Sequence, residues 1–294
     1  MDRIEVDLRF LQLHLTRKEK LGLHGMSDFW TALQQGVTSV LNQLIEPGKR
    51  RNELLETYNK WQQQRHNYII GYPTLSKLRG KPLSQFTPFA FDYRGNIQIL
   101  MQPTVGIIGS RKPTYYGREQ AYIFAKELAR AGCTVVSGGA IGIDAIANSV
   151  AFEHGHSCAI LGNGLANPYP SSNRWMFERL MRSPRGLVMS EFSFYEGARK
   201  WNFLQRNESL ASLCDFLLVV EATQQSGSLV TAKAAVELGI EVGAVPGALD
   251  NPNSVGTNIL IQNGAHCIRS PQDILDCLQR IRSVPSIENR VDSV

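Results

Sequence analysis

The chain has 294 residues, 43% of them hydrophobic, enough for one α/β domain of roughly 200 residues with a smaller companion, and no segment reaches the ~18 consecutive apolar residues of a membrane helix. A net charge of +5 and a pI near 9.0 invite a nucleic-acid partner, yet the excess is local: residues 1–100 hold 14 Lys/Arg against 9 Asp/Glu, and residues 101–294 hold 17 of each. The five cysteines (Cys133, Cys158, Cys214, Cys267, Cys277) are odd in number, lack C-x-x-C spacing and stand in apolar settings, so they read as buried small hydrophobes rather than disulfides, nucleophiles or metal ligands.

The opening MDRIEVDLRF carries acids where a signal peptide needs a basic and then an apolar run, which predicts a soluble, cytoplasmic protein with no membrane contact. Residues 1–66 are expected to be a helical N-terminal region. RFLQLHLTRKEKLGL, MSDFWTALQQGVTSVLNQLI and KRRNELLETYNKWQQQ repeat apolar residues at spacings of three and four. Lys49, Arg50 and Arg51 open the third of these helices, as a solvated face or as a nucleic-acid contact. Residues 67–103, dense in aromatics and turn residues, read as a connecting segment packed on the main domain, with an edge strand near Ile97–Met101.

From Val105 the pattern alternates strictly. The strand-like runs VGIIG, TVVSG, SCAILG, GLVMSE, FLLVVEA, EVGAVPG and HCIR are separated by helical stretches, from REQAYIFAKELARAG to PQDILDCLQRIR. One helix in this series is placed around ESLASLC. Apolar strands without polar alternation are buried on both faces, and repeated βα units with short turns make a doubly wound, mostly parallel sheet. The expected architecture is therefore an extended Rossmann-like domain over residues 104–282, followed by a tail at 283–294.

Ligands of such sheets bind beyond the carboxyl ends of the strands, near the topological switch point. Four turns leaving strands are rich in glycine and serine: Gly109-Ser110-Arg111, Ser137-Gly138-Gly139 running on to Gly142 and Asp144, Gly162-Asn163-Gly164, and Ser226-Gly227-Ser228. Glycines admit a ligand close to the backbone, and amides at helix N-termini point at anions, so these turns predict a crevice for phosphate. Neither G-x-G-x-x-G nor a P-loop is present, which disfavours a dinucleotide enzyme or a P-loop ATPase. Arg111 adds a planar cation suited to phosphate oxygens, with Lys112 and Arg118 nearby. Asp144 either caps its helix or braces the glycine turn; Glu221 bonds a ligand hydroxyl or a neighbouring loop.

A second constellation follows GLVMSE. In FSFYEGARKWNFLQRN, Arg199, Lys200 and Arg206 are interleaved with Phe192, Phe194, Tyr195, Trp201 and Phe203. Read as a loop, it suits single-stranded nucleic acid, with cations on the backbone and rings against bases; the alternative is a loop whose aromatics plug the core. No nucleophile elbow, H-E-x-x-H or metal-ligand spacing occurs, so no catalytic residue, cofactor or metal is assigned.

The ordered series Gly109-Ser110-Arg111 with Gly117, SGGAIGID, LGNGLANPYP, Ser190-Glu191-Phe192, KWNFLQRN, VVEATQQSGSLVTAKAAVELG, AVPG and GTNILIQNGA resembles the DNA-processing protein A (DprA/Smf) family over about residues 67–275. The resemblance implies a non-catalytic, usually dimeric Rossmann protein that binds single-stranded DNA, protects it during natural transformation and loads a RecA recombinase. By motif it implies DNA contacts at Arg111, Ser137, Gly138, Gly139, Lys200, Phe203, Arg206 and Asn207, and the residue chemistry of the same turn adds Gly109, Ser110 and Lys112 to the expected DNA site. The sequence departs from the family pattern at Asn148, where a histidine is usual, and at Glu208, where an arginine is common and whose acid removes positive charge from the expected DNA face. The winged-helix-like domain of many members has no counterpart in SVPSIENRVDSV after Arg282, and the N-terminal helices match the family's small helical domain poorly. A nucleotide-processing Rossmann enzyme of the phosphoribohydrolase type is the alternative. Its P-G-G-x-G-T-x-x-E motif is replaced here by SGSLVTAKAAVE, in which the double glycine is lost and Glu237 ends the stretch.

Overall fold

A computed structural model describes residues 3–16, 19–20, 23, 28–61, 68–80 and 87–283. Among them, a nine-stranded sheet forms the centre. Its strands are β1 (Ile69–Gly71), β2 (Ala90–Gly95), β3 (Thr104–Ile108), β4 (Thr134–Ser137), β5 (His156–Ile160), β6 (Gly186–Ser190), β7 (Phe216–Val219), β8 (Glu241–Ala244) and β9 (His266–Cys267), in the spatial order 1-2-6-5-4-3-7-8-9. Strands β3 to β9 run parallel, while β2 pairs antiparallel with both β6 and β1. Chain order reverses between β3 and β7, and that pair is the switch point.

Every residue of β3, β4, β6 and β7 is buried, and the side-chain period of two sends them to two cores. Ile108, Val136, Ile160 and Val219 join the layer containing α9 (Lys200–Ser212) and α10 (Gly227–Glu237). Val105, Ile107, Val135 and Leu218 join the layer of α6 (Tyr115–Arg130), α7 (Ile143–His154) and α12 (Pro271–Ser283). A smaller cluster around Phe177 and Leu180 fastens α8 (Arg174–Met181) to β5 and β6. The short α11 (Val255–Gln262) leads into β9. Covering both faces of a parallel sheet is the doubly wound arrangement expected from the repeated βα units.

Among the described residues, the N-terminal helices α1 (Arg3–His14), α2 (Phe29–Gln35), α3 (Val37–Leu44) and α4 (Lys49–Trp61) build a separate cluster around Phe10, Leu33, Leu41 and Tyr58, closed by Ile69 of β1, Phe89 just before β2 and Ala90 of β2. Gly36, at φ +109, breaks the stretch predicted as one helix into α2 and α3. Lys49 does open α4, and Arg50 turns back to donate to the His14 carbonyl at 2.8 Å.

The connecting segment contributes more than packing. It supplies β1, then α5 (Tyr72–Arg79), then β2, extending the main sheet. The edge strand expected near Ile97–Met101 is a 3₁₀ turn, and the strand lies earlier, at Ala90–Gly95. Asn96 accordingly accepts from the Gln98 amide at 3.0 Å and starts the turn, while Ile99 and Leu100 sink into the core. Four cysteines are buried as expected; Cys267, on the last strand, is exposed instead.

Candidate nucleic-acid interface

The turns after β3, β4, β5 and β7 meet at the carboxyl edge of the sheet. The β3 turn is bolted down at each residue. Gly109 lies against Ile143 and the Glu221 carbonyl, where an added Cβ would stand 2.8 Å and 3.1 Å from them. The Ser110 carbonyl accepts from Ile143 N–H at 3.2 Å, and its hydroxyl accepts from Lys112 N–H at 3.1 Å. Gly142, at φ +87, lets α7 begin directly against Ser110 and Arg111, since a side chain there would strike the Ser110 carbonyl. Asn253 donates to the Lys112 carbonyl at 3.0 Å. Arg111 and Lys112 therefore stand exposed on a backbone with little freedom.

Glu221, buried at the end of the β7 run, completes this anchor. Its carboxylate accepts from Thr114 N–H at 2.9 Å and from the Thr114 hydroxyl, and that hydroxyl caps α6 by accepting from Gly117 N–H at 3.1 Å. Of the two roles open to Glu221 from sequence, the neighbouring loop takes it.

The glycine turn after β4 departs from its expected role. Asp144 is buried, and its carboxylate accepts from Gly138 N–H at 3.2 Å, with further backbone hydrogen bonds from Gly109 and Ala140. The amides that the sequence offered to phosphate are thus held by an internal carboxylate. Burial pushes the Asp144 carboxyl up, opposed by Arg206 and these amides. Ser137 donates to the Ile107 carbonyl at 2.6 Å and is buried. Gly139, at φ +64, packs on the Phe177 ring, and its carbonyl accepts from Asn173 at 2.9 Å. Ser137, Gly138 and Gly139 are buried, and each has hydrogen-bond partners within the protein.

Arg206 is also internal. Its Nη1 donates to the Gly138 carbonyl at 2.5 Å and to the Ile160 carbonyl at 2.6 Å, tying the ends of β4 and β5, and its Nε donates to Asn207 Oδ1 at 3.3 Å. Burial lowers the guanidinium pKa; Asp144 supports the charge and the nearby Arg111 opposes it. Arg206 sits beneath the surface on which Arg111 is exposed.

The KWNFLQRN stretch, read from sequence as a loop, is the first two turns of α9. Lys200 and Phe203, three residues apart, share a helix face. Lys200 is exposed; Phe203 is half-buried on Gly162, whose missing side chain makes the room, since a Cβ there would lie 2.6 Å from the ring. The Arg206 guanidinium lies over the Phe203 ring, 5.9 Å from its centre. Of the interleaved aromatics, Phe192 is buried and Phe194 half-buried, while Tyr195 and Trp201 are exposed.

The two remaining turns are structural devices. Asn163 is fully buried, donates to the Gly164 and Asn167 carbonyls at 2.9 Å and 2.7 Å, and accepts from Tyr169 N–H at 3.2 Å. Gly162 and Gly164 are buried beside it, and Gly164 N–H donates to the Glu196 carbonyl at 2.8 Å. Ser226 caps α10, its hydroxyl accepting from Ser228 N–H at 3.2 Å; Gly227 is exposed, and α10 packs alongside α9.

The sequence reading missed a hub at Glu191. Its buried carboxylate accepts from Gln12 at 3.2 Å, Gln205 at 2.5 Å and the Ser209 hydroxyl, and burial pushes its pKa up. One turn earlier in α1, buried Arg9 donates to the carbonyls of Ala90 (3.3 Å), Glu191 (2.7 Å) and Phe192 (2.6 Å) and pairs with Asp92 at 2.8 Å. These bonds join α1 to α9 around a cavity of about 660 Å³ lined by Gln12, Glu191, Trp201, Gln205 and Glu208. Glu191 was visible only as part of a motif, with nothing local to name its partners. Both departures from the family pattern are placed as well. Glu208 faces this cavity, and Asn148 is buried, donating to Ser157 Oγ and the Cys158 carbonyl at 3.0 Å each.

Residues 71–279 match the family described as DNA recombination-mediator protein A. The chain is 36% identical over 222 residues to Protein Smf of Escherichia coli, covering 74% of this chain and 59% of that protein. It is 35% identical over 173 residues to DNA processing protein DprA of Bacillus subtilis, covering 58% of each. The chain therefore spans somewhat under three-fifths of the length of these two relatives. Among solved structures, DNA processing protein A of Streptococcus pneumoniae superposes with a TM-score of 0.78 at 26% identity, covering 94% of this chain and 98% of that one. A structure described as giving the single-stranded DNA binding mode of DNA processing protein A from Helicobacter pylori superposes with a TM-score of 0.62 at 29% identity, covering 72% and 93%.

Proposed function

We propose that this chain, which belongs to the DNA recombination-mediator protein A family, binds single-stranded DNA across the carboxyl edge of its sheet and carries out no catalysis on it. The observation that carries the reading is the convergence on buried Arg206. Exposed Arg111 on its fixed turn acts electrostatically on it, and the Phe203 ring lies against it, with exposed Lys200 one helical turn before that ring. Arg111, Lys112 and Lys200 neutralise phosphates, and the exposed part of the half-buried Phe203 ring meets a base. Arg206, Asp144, Glu221, Asn163 and Asn207 fix the geometry from below. The absence of catalysis is supported by the commitment of the crevice carboxylates, Asp144 and Glu221, to backbone and hydroxyl donors of the protein itself.

The family and the structural kinship with a protein described by its single-stranded DNA binding mode support a role in handling incoming or recombining DNA, with a RecA-type recombinase as partner and a homodimer as the working unit. Among the described residues no helix is long and apolar enough to cross a membrane. The test is fluorescence anisotropy of labelled oligo-dT and of a duplex across a salt series, with the mass of the complex measured alongside. Arg111→Ala and Lys200→Ala are expected to lower affinity for oligo-dT several-fold while the fold persists, each reducing the salt slope by roughly 0.7. Unchanged binding in both variants overturns the assignment.

A further inference from the structure

The segment LGNGLANPYP carries an aromatic to which the reading above gives no role. Tyr169 lies in the loop after β5, and half of its surface, 50%, is exposed. Its ring centre is 5.8 Å from that of Phe203, at an interplanar angle of 52°. Its backbone is tied to buried Asn163, which accepts from Tyr169 N–H at 3.2 Å, so the ring is not on a free loop tip. Aromatic pairs at this separation pack favourably, yet core packing leaves much of this ring uncovered. Exposed Trp175, in the first turn of α8, stands a few residues further along the chain.

Resting on the DNA-binding reading, we infer that Tyr169 is a second base-stacking residue, which takes the nucleotide next to the one on Phe203 and makes the crevice select unstacked strands. The ring geometry carries this. The rings are tilted by 52°, so one flat base cannot lie on both, and each ring takes its own. Bases lying flat on two rings tilted by 52° are themselves tilted and cannot stay stacked on one another. Two neighbouring bases reach both rings only after parting from one another, which a strand held in a duplex does not do. Phosphates are served by the cations, and discrimination against stacked DNA falls to the aromatic pair.

The test compares Tyr169→Ala, Tyr169→Leu and Tyr169→Phe in anisotropy titrations with oligo-dT, with an oligonucleotide of the same length carrying abasic sites throughout, and with a duplex. Circular dichroism melts confirm that each variant folds, and Tyr169→Leu keeps an apolar contact on Phe203 should the alanine variant fail to fold. The aromatic face is expected to contribute about five-fold to a hundred-fold to oligo-dT affinity. Tyr169→Ala and Tyr169→Leu should lose that factor with the salt slope unchanged, Tyr169→Phe should keep it, and binding of the abasic strand should not respond. Duplex binding should stay weak in all three. If Tyr169→Leu binds oligo-dT as the unsubstituted protein does while Lys200→Ala is weakened, Tyr169 does not stack and the DNA site stands without it. If the abasic strand loses affinity by the same factor, the side chain acts only through loop structure and the inference fails. If Arg111→Ala and Lys200→Ala are themselves silent, it is the DNA-binding reading that fails.

Discussion

Replacing Arg206 by methionine separates a buried brace from a phosphate contact. Its Nη1 holds the Gly138 and Ile160 carbonyls at 2.5 Å and 2.6 Å, and the guanidinium supports the buried Asp144 carboxylate. Methionine keeps most of the side-chain volume but leaves Asp144 without its cation and two carbonyls without a donor. At about 1–3 kcal/mol for each orphaned buried carbonyl, the loss is put at about 3–5 kcal/mol. In a domain of this size each kcal/mol lowers the melting temperature by roughly 2–4 °C, so a drop of about 6–20 °C is expected in a circular dichroism melt. Adding Asp144→Asn should recover part of the loss, because the two groups are coupled. At a temperature where the variant is folded, the salt dependence of oligo-dT binding should match that of the unsubstituted protein. A melt within about 2 °C of the parent, together with a salt slope smaller by roughly 0.7, would show that the guanidinium meets phosphate and that the brace is misassigned.

Gly162→Ala places a Cβ 2.6 Å from the Phe203 ring; overpacking of about 1–3 kcal/mol and weaker oligo-dT binding with an unaltered salt slope are expected from urea melts and anisotropy. Glu191→Ala strands Gln12, Gln205 and Ser209, which all donate to it; at about 1–3 kcal/mol per orphaned buried group, limited proteolysis should cut within residues 1–66 sooner than in the parent. His14 and His156 are held below the ordinary imidazole range, first by burial and then by Arg50 and Arg185 respectively. Both therefore favour folding in their neutral form. That stability is present above the usual value of about 6.5 and lost as pH falls below it toward their folded values. The urea midpoint should drop between pH 7.5 and 5.5, and less so in the His14→Gln, His156→Gln double variant.

The sheet was legible because doubly buried strands such as VGIIG and FLLVV are apolar without interruption, and helical runs of a different period separate them. Ile97–Met101 misled because IQILM has strand composition, whereas the deciding feature is one hydrogen bond from the Gln98 amide to the Asn96 side chain that starts a 3₁₀ turn. The α9 boundary was set too late because cations and aromatics at its start resemble a binding loop, and composition does not reveal that Gly162 receives Phe203. At the crevice, the turns that the sequence singled out lie along one edge of the sheet, with Arg111 and Lys200 exposed and Phe203 half-buried. The sequence offered bracing of the glycine turn as one of two roles for Asp144 and could not choose between them, nor show that Arg206 turns inward, because both depend on contacts made only after β3, β4 and β5 lie side by side. The Arg9 and Glu191 hub was hidden for the same reason: Arg9 and Glu191 are 182 residues apart in the chain.

Thr114, Gly138, Asn163 and the Ser110–Lys112 backbone already hold their hydrogen-bond partners within the protein. Their conformational entropy is lost during folding, before any ligand arrives. A strand docking on this edge meets a preorganised surface, and the ordering cost of association falls on the nucleic acid. Calorimetry should then record a heat-capacity change that follows the base composition and residual stacking of the oligonucleotide. Encounter should be governed by electrostatic attraction to Arg111, Lys112 and Lys200, with no slow closing step in the protein.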